Sequence, residues 1–359
     1  MRVPSAGPRQ PDDPTRLLEL LRRLGATDTE LATTPPHQRG ALALELAFRD
    51  GRPPMSIDEA AERIGTAAAD LLRFWRALGF ASGAAVVRVP AALVDAQQIL
   101  AGHGRDLMGE DSVLSLTRII GTSTARLAEA VVDSFRVDVE LPKLGSGTDY
   151  ADVVADYVEL TRSALPALES TVIAALRAHM VRVAGGIWSS DAEEAATRRD
   201  LSVGFVDLVG YTAMARTLTG AELSRLLRRF EDLASEVISE HEGRLVKQLG
   251  DGAMFVAETP ASGAAISCRL AAAFAQAEGV PPVRVGLAWG SVLSYYGDYY
   301  GDVVNLAARL VALARPGAVV ASAEAVQRLG DGWQAERLPD QALKGFGAPE
   351  VVFRLLGTR

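Results

Sequence analysis

Two different patterns of apolar and polar positions divide the chain. Up to about residue 186 the apolar positions recur at helical spacing. From residue 201 short apolar runs alternate with amphipathic helices. In the first part Leu17, Leu18, Leu20, Leu21 and Leu24 line one helical face that closes at Gly25, and residues 38–49 repeat the pattern after Pro35-Pro36. Ser56 followed by Glu59 is a capping box and starts a helix ending near Gly65; a second helix runs from about Ala67 to Leu78 and stops at Gly79. A small β segment is expected at Ala84 to Val89, then helices over residues 91–101, 112–133 and 149–184. Pro142, Gly145 and Gly147 are expected to break the chain, Pro166 to mark a helix boundary, and Gly185-Gly186 to end the last helix. Ser190 with Glu193 predicts a short linker helix leading to Asp200.

In the second part Leu201–Val206 reads as a buried strand ending at Asp207, and residues 220–241 as an amphipathic helix closed by Gly243. Arg244–Met254 reads as two strands joined by a tight Asp-Gly turn at Gly250-Asp251-Gly252. A helix over Ala261–Glu278 follows, then a strand Val283–Leu287 with Gly290–Tyr295 as its partner, and a helix after Gly301. Strands are expected at Ala318–Ala321, Gln334–Arg337 and Val351–Leu355. The expected organisation is a tail over residues 1–14, an all-α domain over 15–186, a linker helix over 187–200 and an α+β domain over 201–359. In the last, helices cover one face of a largely antiparallel sheet.

Composition narrows the function classes. A length of 359 residues fits two domains, and 48% apolar with 23% charged residues is an ordinary globular balance. The net charge of −8 argues against a general nucleic-acid binder. The helix pair over residues 56–79 resembles a helix-turn-helix, but Asp70 and Phe74 accompany Arg73 and Arg76, so helix packing outweighs DNA binding. Cys268 is the only cysteine and reads as core filler; His37, His103, His179 and His241 show no metal-ligand spacing. The proline-rich Met1–Pro14 lacks the apolar core of a signal peptide, and no run is long enough to span a membrane, so a cytoplasmic protein is expected.

The residues with chemical potential lie in the second part. Asp207 and Asp251 stand at strand ends that a βααβ order brings to one edge of a sheet, where two carboxylates repel unless a divalent cation sits between them. Mg²⁺ is held by one or two carboxylates plus substrate phosphates. Gly210 and Thr212 follow Asp207 at a helix start, which favours an anion. Asn305 and Arg309 share a helix face at i and i+4, Arg284 sits inside an apolar strand, and Lys344 occupies a glycine-containing loop.

Residues 201–356 resemble the catalytic domain of class III nucleotide cyclases, through FVDLVGYT (205–212), VKQLGDGAMFV (246–256), VRVGLAWGSV (283–292), GDYYGDVVNLAAR (297–309) and LKGF (343–346) in the family's order. The resemblance implies a ferredoxin-like core and an active site at a head-to-tail homodimer interface. It implies that Asp207 and Asp251 hold two Mg²⁺ or Mn²⁺ ions and that Lys247 and Asp298 select adenine. Asn305 would orient the ribose, Arg309 would stabilise the transition state, and Lys344 and Arg284 would bind the triphosphate of ATP. It also implies that Asp251 serves one site of the dimer while Lys247 of the same chain serves the other. The segment between Gly290 and Asp298 is short, as in the compact bacterial subclass. Adenine N1 accepts and its N6 amine donates, so a lysine and an aspartate match adenine and mispair guanine. The expected activity is adenylyl rather than guanylyl cyclisation. The first part resembles the helical regulatory domain that precedes such cyclases in actinobacteria, which implies control of the catalytic pair and a pH or lipid signal.

Overall fold

The computed structural model describes residues 14–49, 51–52, 54–80, 88–188 and 198–359, which form two compact units meeting at Ala184/Gly185. The expected tail, the capping box at Ser190 and most of the linker helix lie outside the described residues, as does most of the β segment at 84–89.

The first unit is built from helices. α1 (Pro14–Arg23), α2 (Asp28–Thr33) and α3 (Arg39–Phe48) bury Leu17, Leu21, Leu31 and Leu46 against Val154 and Val158 of α10 (Tyr150–Trp188). α4 (Ile57–Ile64) begins at the Ser56–Glu59 capping box and ends at Gly65, whose φ of 68° suits a residue without Cβ. α5 (Ala68–Ala77), α6 (Ala91–Ile99), α7 (Arg105–Met108), α8 (Glu110–Phe135) and α9 (Leu141–Gly145) complete the unit. This unit is not wholly helical: β1 (Met55–Ser56) pairs antiparallel with β2 (Arg88–Val89). Arg73 of α5 pairs with Glu110 of α8 at 2.7 Å, and Leu71, Phe74 and Trp75 are buried, so the helix pair is used for packing.

The predicted break over Pro142, Gly145 and Gly147 falls at its glycine end, where α9 stops at Gly145 and Gly147 adopts φ 87°, while the breaks expected at Pro142 itself, at Pro166 and at Gly185-Gly186 do not occur. A wide turn over Arg136–Glu140 precedes Pro142, which then sits in the first turn of α9, where its missing N–H is no loss. α10 runs through Pro166. The helix is exposed around that proline, so water can satisfy the Arg162 carbonyl. It also continues past Gly185-Gly186 to Trp188.

The second unit is a sheet with helices on both faces. Its elements are β3 (Arg198–Leu208), α11 (Tyr211–Met214), α12 (Gly220–Glu240), β4 (Arg244–Leu249), β5 (Gly252–Ala257), α13 (Pro260–Gln276), β6 (Val283–Tyr295), β7 (Asp298–Tyr300), α14 (Asp302–Leu313), β8 (Val319–Ser322), α15 (Ala323–Gln327), β9 (Trp333–Arg337) and β10 (Val352–Thr358). The strand order is β4-β5-β3-β6-β8-β10-β9, with β7 on β6 and only the β6–β8 pair parallel. The β3-α12-β4-β5-α13-β6 portion has the ferredoxin-like order. Val283–Leu287 and Gly290–Tyr295 are one continuous strand rather than a hairpin, because Ala288-Trp289 is no turn; both stretches pair with β3.

Strand alternation sorts the sheet's side chains between two cores. Val206, Phe255, Val285 and Leu287 meet α12, α13 and α15 on one face. Leu201, Val203, Met254, Val256, Ala288 and Val292 meet Ala307 and Leu310 of α14 on the other. The helices are therefore not confined to one face as expected. α14 lies so close to β6 that a Cβ on Gly286 would come 2.3 Å from the Val311 nitrogen and 2.4 Å from the Ala307 carbonyl oxygen.

Candidate active site

The same alternation decides where the candidate residues project. Asp207 follows Leu201, Val203 and Phe205 on the α14 face of β3, and Arg284 shares that face of β6 with Gly286 and Ala288. The two residues are direct cross-strand neighbours, and the Arg284 guanidinium donates to and ion-pairs with the Asp207 carboxylate. Arg284 Nε is buried and has no partner, so this arginine keeps a donor to spare.

Asp251 reaches the same end of the sheet. Leu249 pairs with Gly252, which leaves Gly250-Asp251 as a two-residue hairpin loop. The left-handed residue is Gly250, at φ 69°, in the first loop position; the turn is of the primed glycine-first kind and not the expected Asp-Gly turn. The tip is tied to β3 because the Leu208 amide donates to the Asp251 carbonyl at 3.0 Å. Gly252 lies opposite Asp207, and a Cβ there would stand 2.8 Å from the Val206 carbonyl oxygen, so glycine permits the approach.

Burial pushes the Asp251 carboxyl above its ordinary range, and the Asp207 charge adds to this; its own backbone hydrogen bond and Arg284 oppose it. A desolvated carboxylate beside a second carboxylate is a position that a cation relieves. Among the described residues no group of three or more His, Cys, Asp or Glu side chains gathers. Two hard oxygen donors and no softer ones fit Mg²⁺ or Mn²⁺ completed by phosphate and water, and do not fit a dedicated zinc site.

Lys247 and Asp298 come together across the same face. The Lys247 ammonium donates to Asp298 Oδ2 at 2.6 Å, and Asp298 Oδ1 accepts the Tyr299 amide at 2.8 Å. A β-bulge between Leu245 and Lys247 makes this possible. Arg244 pairs with Val256 and Lys247 with Met254, both in the α14-side core. Without the extra residue, Arg244 and Lys247 would point to opposite faces. Arg244 donates to the Tyr299 hydroxyl at 2.6 Å and lies 5.1 Å from that ring's centroid. The sequence reading missed this second pair, because neither residue carries a local motif of its own.

Asn305 and Arg309 lie on the outer side of α14, opposite the buried Ala307 and Leu310. Lys344 follows the buried Leu343 and precedes Gly345 at φ 98°. All three are exposed. Thr212 is exposed in α11, which is a single turn, so the expected helix-start contribution to anion binding is small. Gly210 caps that turn at φ 77°.

The family described as adenylate and guanylate cyclase catalytic domain matches residues 193–355. An adenylate cyclase of Streptomyces coelicolor is 35% identical over 73% of this chain and 68% of its own length. An uncharacterized protein of Mycobacterium tuberculosis is 33% identical over 98% of this chain and 92% of its own. Among solved structures, the adenylyl cyclase CyaB from P. aeruginosa is 24% identical with a TM-score of 0.40, covering 45% of this chain and 96% of that one.

Proposed function

The chain belongs to the family of adenylate and guanylate cyclase catalytic domains, and on that premise we propose that it converts ATP into 3′,5′-cyclic AMP and pyrophosphate at a site shared by two copies of the chain. The observation that carries the choice of ATP is the Lys247–Asp298 pair, 2.6 Å apart on the sheet face that also bears Asp207 and Arg284. A lysine donor and a carboxylate acceptor side by side complement adenine N1 and N6, and leave guanine O6 and N1–H mispaired. Homologues named adenylate cyclase, 31–35% identical over much of the chain, support the same choice.

In the reaction the ribose 3′-oxygen bonds to the α-phosphorus, the bond from that phosphorus to the bridging oxygen of pyrophosphate breaks, and the hydroxyl proton is lost. Asp207 and Asp251 would hold Mg²⁺ or Mn²⁺, which supplies positive charge to the phosphates and acidifies the 3′-hydroxyl. Arg284 exchanges its Asp207 partner for the β- and γ-phosphates, helped by Lys344. Asn305 holds the ribose for in-line attack, and Arg309 meets charge developing on the α-phosphate. Asn305 and Arg309 face away from their own sheet, which supports their serving the carboxylates of a second copy arranged head to tail. The N-terminal helical unit controls this assembly in response to a pH or lipid signal. Among the described residues no helix is long and apolar enough to cross a membrane.

The test is to incubate the full chain, and residues 198–359 alone, with Mn²⁺ or Mg²⁺ and either ATP or GTP. Cyclic AMP from ATP is expected, with little cyclic GMP from GTP, and the two proteins should differ in rate. Absence of cyclic AMP from both would overturn the assignment, and equal rates would remove the regulatory role.

A further inference from the structure

β4 is an edge strand, β5 and β3 lie between it and β6, and β7 hangs on β6 alone, so no backbone ladder joins β4 to β7. The base-recognising residues sit one on each of these unlinked strands: Lys247 on β4 and Asp298 on β7. Two side-chain contacts cross the gap. One is the Lys247–Asp298 pair itself, which must open for each partner to bond a nucleotide base. The other joins Arg244 to Tyr299, the chain neighbour of Asp298 and four residues from the end of β6 that β7 folds back upon. Tyr299 is 7% exposed and belongs to the α14-side core, so its ring is fixed by packing with Val292 and Val256 in the same cluster. Its amide holds Asp298 Oδ1, which leaves Oδ2 as the oxygen presented to Lys247.

We propose that Arg244 and Tyr299 form a brace that sets the distance between Lys247 and Asp298 once their own contact opens, making them positioning residues for adenine selectivity. The proposal rests on the reading of Lys247 and Asp298 as the base-recognising pair. Selectivity by donor and acceptor matching depends on holding both groups where the wrong base leaves them unpaired. When the strands can drift, a donor and an acceptor re-pair with water or shift to suit guanine, and the penalty for the wrong base falls. The brace survives base entry because its two partners already engage each other: Tyr299 Oη is taken by Arg244, and the guanidinium also rests against the ring.

Full-length wild type and the Tyr299→Phe, Arg244→Ala and Arg244→Lys variants are to be compared for turnover of ATP and GTP in Mn²⁺, with equilibrium binding of each nucleotide and the unfolding midpoint measured on the same samples. Tyr299→Phe and Arg244→Ala should each raise KM for ATP and weaken ATP binding by about fivefold, as expected for loss of one hydrogen bond, with a smaller change in kcat. The preference for ATP over GTP should fall by about the same factor or more, Arg244→Lys should recover part of it, and the Tyr299→Phe/Arg244→Ala double variant should be no worse than the worse single. Equal losses for both nucleotides, or a fall in kcat with ATP binding unchanged, would overturn the brace. So would a wild type that binds both nucleotides alike. If Arg244→Ala fails to fold, Tyr299→Phe, which removes one oxygen, decides. Should the wild type prefer ATP in binding yet form no cyclic product, the reaction assignment fails while the binding data still judge the brace.

Discussion

At the scale of single residues the site holds its charges at some cost to the fold. Asp251 is desolvated and lies near Asp207, so its ionised form is the less favoured one in the folded chain. A carboxyl whose pKa is raised on folding binds its proton more tightly when folded. Its contribution to stability is therefore present at low pH and is lost as pH rises from the ordinary aspartate value of 3.8 through the raised one. At neutral pH, without divalent cation, the charge is a net burden. Asp251→Asn removes the charge and keeps the shape, so it should raise the unfolding midpoint by roughly 1–2 °C while abolishing turnover. The gap between wild type and variant should close in acid and should also shrink when Mn²⁺ is added to the wild type, because the ion relieves the same carboxylate. Thermal melts at pH 4 and pH 7.5, with and without Mn²⁺, check this. A variant less stable than wild type at neutral pH would show that Asp251 is compensated within the chain.

At the scale of elements, the position of α14 rests on a missing side chain. Ala307 and Leu310 bury against β6 only because Gly286 lets the helix backbone come within van der Waals range of the strand. Gly286→Ala places a Cβ against backbone atoms at both ends of one helical turn, with no flexible side chain to yield. It should cost about 3 kcal/mol, the upper range for overpacking, and displace Asn305 and Arg309 together. Gly332→Ala, in open space and at an ordinary φ, should stay within about 0.5 kcal/mol of wild type. Denaturant unfolding of the two variants gives the comparison, and equal stability would mean that α14 is free to lift from the sheet. Gly286 shows how much of such an arrangement could be read beforehand. VRVG was legible as an apolar strand with an arginine in it; the partner of that arginine, Asp207, depends on strand register that no local pattern encodes. The strand of Lys247 and the hairpin tip at Asp251 were legible because alternation and turn chemistry act over a few residues, whereas the roles proposed for them came from the resemblance to the cyclase family. The bulge that turns Arg244 and Lys247 to one face inserts a residue into an otherwise regular strand and leaves no mark in composition. Proline was over-read for the opposite reason: at Pro142 and Pro166 the neighbouring backbone absorbs the lost hydrogen bond, and tertiary placement overrides the local preference.

At the scale of the whole molecule, the sheet face that bears Asp207 and Arg284 is roofed by one helix, and Asn305 and Arg309 stand on that helix's far side. One ligand that uses both sets therefore calls for two copies of the chain. In the proposed head-to-tail pair the same patch is used twice under a two-fold axis, so each of two sites would take its carboxylates from one chain and Lys247, Asp298, Asn305 and Arg309 from the other. An Asp207→Ala chain and an Arg309→Ala chain should each be inactive as homodimers, since both of their sites would lack one group. When equal amounts are mixed and allowed to exchange, half of the dimers become mixed. Each mixed dimer then holds one site with both lesions and one with none, so recovery should approach about a quarter of wild-type activity. Activity should rise with exchange time and with protein concentration, and it should be absent when Asp207→Ala is mixed with Asp251→Ala, because both lesions then fall on the same chain's share of a site. Recovery in that control would mean that the two carboxylates come from different chains. Failure of the first mixture, with both variants folded and dimeric, would mean that Arg309 works beside the carboxylates of its own chain, and the outward face of α14 would then need another partner.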